Sequence, residues 1–88
     1  MIAASFSGGG DGHAVAFDGA VIEFVAMEPQ ATGRPVEVVL RLAEGPLVLR
    51  GRSRGSRRLE DGRFQVWLRP VALRREERAR LEAAFAAP

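Results

Sequence analysis

Residues 35–58 constrain the fold of this chain more than any other stretch. Every second residue is aliphatic before the turn at Glu44 and Gly45, and the alternation continues after it, which is the period of a half-buried strand. The apolar side holds Val36, Val38, Leu40, Leu42, Leu47 and Leu49. The stretch therefore predicts a long β-hairpin with one apolar and one cationic face. Other elements must cover the apolar face, because an isolated hairpin is only marginally stable in water.

Two further regions have strand character. The run A-V-A-F-D-G-A-V-I-E-F reads as two short strands joined at Asp18-Gly19, a dipeptide suited to a tight hairpin turn. Residues 63–69 alternate again, and Phe64, Val66 and Leu68 oppose Gln65 and Trp67. We expect the apolar residues of the long hairpin and of this last strand to form one continuous core in an antiparallel sheet.

The start of the chain shows little hydrophobic pattern. Residues 7–12 read S-G-G-G-D-G, and ordering so many glycines costs conformational entropy. We therefore expect residues 1–12 to be a flexible, glycine-rich lead-in, with a short extra strand possible before His13. Residues 13–88 are expected to form a single domain.

Residues 73–86 are the one convincing helix. Alanine, leucine, glutamate and arginine dominate the segment, and these residues favour helix. One helix face carries Leu73, Leu81, Ala84 and Phe85, and the other faces are charged. Such a helix is most simply a lid over an open end or face of a sheet. The order of strands followed by a helix predicts a mostly β fold, a small antiparallel barrel that limits exposed strand edges.

Composition excludes several classes of function. The chain has one histidine and no cysteine, which excludes a disulfide framework and a thiolate metal site. No nucleophilic side chain is paired with a base in the sequence, so we expect no catalytic residue. The carboxylates that stand beside glycines are explained as turn-forming residues, so we expect no metal and no cofactor. No export signal or membrane-length apolar run is present, so we expect a cytoplasmic protein without a membrane segment.

All thirteen basic residues are arginines, and five of them cluster. The cluster comprises Arg50, Arg52, Arg54, Arg57 and Arg58. Formal net charge is only +2, so the positive potential is local. Alternation places Arg50, Arg52 and Arg54 on one face of the strand, and Arg57 and Arg58 extend the positive charge toward the following turn. This arrangement is suited to binding phosphate groups. The competing interpretation is a solvated outer face with ion pairs to Glu37 and Glu23.

Five segments from residue 18 onward follow a recognisable order. They are G-A-V-I-E-F, T-G-R-P-V-E-V-V-L-R-L, P-L-V-L-R-G-R, G-R-F-Q-V-W-L-R and A-L-R-R-E-E-R-A-R-L-E-A-A-F. This order of strand, glycine-containing loop, hairpin, strand and helix resembles that of the PilZ family, bacterial domains associated with cyclic di-GMP signalling. The likeness covers about four-fifths of the chain. The resemblance implies a six-stranded antiparallel β-barrel with a C-terminal α-helix.

The ligand motifs of that family are degenerate in this chain. Typical members carry R-x-x-x-R before the first strand and D/N-x-S-x-x-G at an early turn, and together these bind cyclic di-GMP. Aligning Gly19 with the motif glycine puts Ala14 and Ala16 at the Asp/Asn and Ser positions, and no arginine precedes Arg34. The string R-G-S-R-R matches the arginine motif only after the central hairpin, so the role is not transferred to it. We expect no cyclic di-GMP binding through the standard site.

The resemblance without its ligand motifs implies a non-enzymatic adaptor that binds a protein partner, with pilus, motility or secretion machinery as the family context. The partner-binding candidates are Trp67, Arg69, Arg74 and Arg78. Alternation places Trp67 opposite the apolar residues of its strand, although cover by the helix would also explain a tryptophan there. Two alternatives stay open. One is binding of cyclic di-GMP or another phosphorylated ligand by the cluster at residues 50–58, and the other is a small nucleic-acid-binding barrel.

Overall fold

The computed structural model describes residues 2–86, which form a closed antiparallel β-barrel and one α-helix. The elements are β1 (Ile2–Phe6), β2 (Asp11–Phe17), β3 (Ile22–Ala26), β4 (Pro35–Leu42), β5 (Gly45–Arg58), β6 (Phe64–Pro70) and α1 (Arg75–Phe85). Around the barrel the strands follow the order β1, β2, β3, β6, β5, β4, and β4 pairs back with β1. The predicted mostly β fold, a six-stranded antiparallel barrel with a C-terminal helix, is confirmed.

The apolar sides of the strands point into the barrel and form its core. Phe24 is fully buried and packs edge-to-face on Phe6, with ring centroids 5.2 Å apart. The core also holds the predicted residues Val36, Val38, Leu40, Leu47, Leu49, Val66 and Leu68. Leu42 and Phe64 are partly buried and pack against this cluster. The alternation of the long hairpin and of β6 therefore predicts the core correctly.

The beginning of the chain differs from the expected lead-in. Strand β1 pairs with both β2 and β4, and Ala4 and Phe6 are buried. A tight turn follows, in which the Phe6 N–H donates to the Gly10 carbonyl oxygen over 3.1 Å. The prediction of a flexible lead-in is thus wrong for residues 2–12, which belong to the barrel. The hydrophobic period is hard to see there because small alanine and serine side chains occupy most of β1.

Strand β5 is shared by two walls of the barrel. Its first part, residues 45–52, pairs with β4, and its last part, residues 51–58, pairs with β6. The strand therefore passes from one wall to the other at Gly51 and Arg52. A Cβ on Gly51 would lie only 2.4 Å from the carbonyl oxygen of Arg69 on β6. The close approach of the two backbones requires a glycine at this corner.

Helix α1 closes one end of the barrel, as the sequence predicts. Leu81 is fully buried in the core, and Leu73 and Phe85 pack against the core. The ring of Phe85 lies 6.3 Å from that of Phe17, at the end of β2. The apolar face of the helix is therefore used to cover the barrel end.

The helix is shorter than the predicted 73–86. Ala72 has a positive φ of 53°, and Arg74 is extended with φ −76° and ψ 161°, so helical geometry begins at Arg75. The Arg74 N–H donates to the Glu77 carboxylate over 2.9 Å, which satisfies a backbone donor at the helix start. Within residues 2–86, no helix has the length and apolar character needed to cross a membrane.

Three carboxylates with lowered pKa values make the stability of the fold sensitive to acid. Backbone N–H groups in its own turn lower the pKa of Asp18, a side-chain hydrogen bond from Arg63 lowers the pKa of Asp61, and the Arg74 N–H lowers the pKa of Glu77. Each carboxylate is harder to protonate in the folded chain than in the unfolded chain. Its contribution to the free energy of unfolding is therefore complete above its ordinary pKa, and this contribution is lost as the pH falls through the lowered pKa of the folded state. We expect a urea midpoint that is level between about pH 7 and pH 5 and falls below about pH 4.

Asp18→Asn tests this acid dependence at one position. The asparagine oxygen can still accept the hydrogen bonds of 2.8 and 2.7 Å from the Ala20 and Val21 N–H groups, but it does not titrate. On acidification the variant should lose less of its urea midpoint than the wild type, as followed by circular dichroism. Equal losses in the two proteins would contradict the role of this carboxylate.

Candidate functional site

The first arginines of β5 follow the predicted alternation. Arg50 and Arg52 are exposed on the outer wall. The charge of Arg50 is already matched, because its Nε donates to Glu37 on β4 over 2.8 Å. Arg52 donates to the carbonyl oxygen of Gly33 over 3.0 Å and has no carboxylate partner within residues 2–86. Of these two guanidinium groups, that of Arg52 is the one without a carboxylate beside it within residues 2–86.

A β-bulge interrupts the alternation at Arg54. The register with β6 shifts between Ser53 and Gly55, so Arg54 is the extra residue, and its side chain is exposed. Beyond the bulge Arg57 faces outward, whereas Arg58 lies opposite a β6 residue that packs against the core. Successive residues of a strand alternate sides, so the structure separates Arg58 from the outer wall. The predicted continuous face of five arginines does not form.

The bulge is fastened by two serines. Ser53 is almost fully buried, and its hydroxyl donates to the Gln30 carbonyl oxygen and accepts the Gly55 N–H, each over 3.0 Å. The Ser56 hydroxyl accepts the Gln30 N–H over 3.2 Å. The loop of residues 27–34 is thereby tied to β5. The outer arginines consequently project from a backbone that is fixed on both sides of the bulge.

Trp67 projects from the outer wall. It is partly buried and lies opposite Glu23 on β3 and Gly55 on β5. Helix α1, by contrast, packs on the barrel end through Leu81 and Phe85. Within residues 2–86, Trp67 makes no ring pair or side-chain hydrogen bond with the helix. Its position on the wall is the one that alternation predicts.

The other predicted partner-binding arginines are divided between two places. Arg69 is exposed on β6, directly opposite Arg52 on β5. Arg74 precedes α1 and pairs with a helix glutamate at 3.4 Å. Arg78 ties the helix to the β2–β3 turn by donating to a backbone carbonyl oxygen over 2.7 Å. Arg69 thus joins Trp67 on the outer wall, whereas Arg74 and Arg78 belong to the capped end of the barrel.

The positions aligned with the cyclic di-GMP motif are not brought together. Ala14 is fully buried and faces the interior opposite Phe24. A bulge follows, and Ala16 is exposed on the outside, opposite Glu23. Gly19 lies beyond β2, in the turn to β3. The two motif alanines therefore point to opposite sides of the sheet and offer no shared ligand site.

A shallow depression of about 390 Å³ lies on another wall of the barrel. Small residues of β1 contribute to its floor, and its larger lining residues are Asp11, His13, Met27, Arg41 and Arg63. In the part of the chain that the structure describes, no group of three or more histidine, cysteine, aspartate or glutamate side chains comes together. The depression therefore lacks the ligand set of a metal site.

The candidate site is the group of outward residues that β5 and β6 carry beyond the corner, which we call the Trp67 face: Arg52, Arg54, Gly55, Arg57, Gln65, Trp67 and Arg69. Its guanidinium groups can bind carboxylates or phosphates, and its indole ring can contact an apolar group. These side chains offer binding chemistry without a nucleophile or a general base.

Comparisons of the chain with protein-family models, curated proteins and solved structures gave no significant match.

Proposed function

We propose that this chain is a non-enzymatic, PilZ-like adaptor domain of cyclic di-GMP-related bacterial signalling, which binds a protein partner through the Trp67 face. The observation that carries the proposal is a partly buried tryptophan on the outer wall of a closed barrel, beside exposed arginines. Tryptophan and arginine are enriched among the residues that dominate binding energy at protein interfaces. The barrel and its helix also match the architecture that the sequence resemblance implies.

Replacing Trp67 with alanine should abolish capture of the partner and leave the domain folded. The side chain lies on the outer wall, so its removal leaves the barrel core intact. A tryptophan at the centre of an interface typically contributes about 2 kcal/mol or more, which is roughly a 30-fold change in affinity. The measurement is a pull-down from a lysate of the source cell with wild-type and variant bait, after circular dichroism has shown that both are folded.

Met27→Ala is the matched control, because Met27 is an apolar side chain that is 60% exposed and lies outside the Trp67 face. This variant should retain every partner of the wild type. Deletion of residues 1–12 is not a suitable control, since it removes β1 from the barrel. A folded Trp67→Ala variant that keeps all partners would show that the interface lies elsewhere.

The two alternatives based on phosphate binding use the same wall. Arg50 is paired with Glu37, and Arg58 lies off the wall. Three arginines of the β5 cluster therefore remain on the wall without a carboxylate partner within residues 2–86. Both alternatives require binding that weakens steeply as salt rises, because phosphate contacts release counterions. Titration with cyclic di-GMP, with a random oligonucleotide as the control, tests them directly. We expect no micromolar binding of either compound.

A further inference from the structure

The outward residues of the Trp67 face form three rows across the β5–β6 pair. The rows are Arg52 with Arg69, then Gly55 with Trp67, then Arg57 with Gln65. A rise of about 3.3 Å per residue places the first and third rows roughly 13 Å apart. Trp67 therefore stands midway between two cationic rows. Gly55 has no side chain, and the Thr32 hydroxyl oxygen lies beside it, 3.1 Å from where a Cβ would be.

The charge of these rows is not balanced within the domain. Ion pairs within residues 2–86 engage four other arginines, Arg50, Arg63, Arg74 and Arg80. In the same residues, none engages Arg52, Arg57 or Arg69. Arg52 and Arg69 are directly opposite each other, and like charges in that arrangement destabilise a sheet. The adjacent Glu23 accepts a hydrogen bond from Gln65 instead. The face is therefore complementary to an external group of negative charge.

An extended peptide has the spacing that these rows require. In a strand, residues i and i+4 lie on one side roughly 13 Å apart, and residue i+2 lies midway between them. Acidic side chains at i and i+4 would meet the two arginine rows, where guanidinium groups form charge-assisted hydrogen bonds with carboxylates. An apolar side chain at i+2 would meet the indole ring of Trp67.

Resting on the adaptor function, we propose that the partner presents an extended acidic segment to the Trp67 face, with the pattern acidic-x-apolar-x-acidic. The segment lies along the β5–β6 wall and is held by Arg52 and Arg69 at one end, Trp67 in the middle and Arg57 at the other end. A nucleic-acid strand fits this wall less well, because proteins that bind single strands stack successive bases on several aromatic rings. The Trp67 face offers one such ring.

A displayed library of random peptides, selected on the immobilised whole domain, can identify the preferred segment before the partner is known. The enriched peptides should carry acidic residues four positions apart with an apolar residue midway. A synthetic peptide of the enriched sequence, followed by fluorescence anisotropy, should bind more weakly as salt rises because the charges are exposed. A scrambled peptide of equal composition should have a dissociation constant that is higher by about tenfold or more.

Charge reversal in the two arginine rows tests the contacts themselves. Arg57→Glu and Arg69→Glu should each weaken binding of the selected peptide about tenfold or more, since each replaces an attraction with a repulsion. Arg41→Glu is the matched control, because Arg41 is exposed on β4, outside the Trp67 face, and the change in net charge is identical. This control should leave the affinity unchanged, and urea unfolding should show that all three variants are folded.

Several outcomes would overturn the inference and leave the adaptor function standing. They are enrichment of peptides without the acidic spacing, no enrichment at all, and equal loss of affinity in Arg41→Glu and Arg69→Glu. If cyclic di-GMP or a random oligonucleotide displaces the peptide at micromolar concentration, and Arg57→Glu prevents this, the face serves a phosphate ligand and the inference also fails. Failure of the adaptor function looks different, since folded Trp67→Ala then retains every cellular partner.

Discussion

Phe24→Ala should remove a large part of the free energy of unfolding of the domain and lower its urea midpoint sharply. Phe24 is fully buried and its ring packs edge-to-face on Phe6. Truncation of a buried phenylalanine to alanine costs about 3–5 kcal/mol, through lost burial and the cavity left behind. A domain of this size has a free energy of unfolding of about 4–13 kcal/mol in total. Urea unfolding, followed by circular dichroism and by the fluorescence of Trp67, measures the loss.

Met27→Ala is the control for this substitution as well. Its side chain is 60% exposed, so we expect a change within about 0.5 kcal/mol. Phe24→Leu, which keeps part of the buried volume, should fall between the control and Phe24→Ala. A loss below about 1 kcal/mol in Phe24→Ala would mean that the barrel collapses around the cavity, which is not expected of a closed sheet.

Gly51→Ala should have the second large effect. The new Cβ would lie 2.4 Å from the Arg69 carbonyl oxygen and 3.0 Å from the Pro70 Cα. These are backbone atoms of the paired strand, so they cannot rotate out of the way as a flexible side chain could. Overpacking in a core typically costs about 1–3 kcal/mol, and a clash with backbone belongs at the upper end of that range. The same urea experiment measures it.

Gly8→Ala is the matched control for the corner glycine. A Cβ on Gly8 meets nothing within 4 Å, and its backbone does not have a positive φ. Its free energy of unfolding should change by no more than about 0.5 kcal/mol. Because Arg69 is the residue displaced at the corner, Gly51→Ala should also weaken binding at the Trp67 face. Unchanged stability and binding would contradict the tight corner.

Much of the fold is readable from the sequence because alternation and burial coincide. Residues such as Leu40 and Leu49 are large, regularly spaced and buried in the structure. Strand β1 is not predicted in this way, because Ala4 is too small to mark a hydrophobic period. Ala4 is nevertheless buried, as the leucines are. The helix start is also displaced, because the left-handed backbone at Ala72 is set by the path from β6 to the barrel end.

The candidate site is only partly predictable. Alternation places Trp67 and Arg69 on the outer wall, but it cannot reveal that Arg69 faces Arg52, because pairing between strands distant in sequence depends on register. The bulge at Arg54 is a further unpredicted feature. The sequence does contain one signal for this bulge, which is Gly55 in the middle of the strand, because glycines inside strands often mark bulges.

The pairing of β6 limits how a partner can recognise the Trp67 face. Residues 64–68 of β6 are paired with β3 on one side and with β5 on the other, so a partner cannot add a strand of its own beside them. Recognition at this face has to use side chains. Outward and inward positions alternate along each strand, so the outward set can be exchanged while the core stays intact. The barrel should therefore act as a scaffold onto which other outward residues of β5 and β6 can be grafted, changing the bound segment while the fold persists.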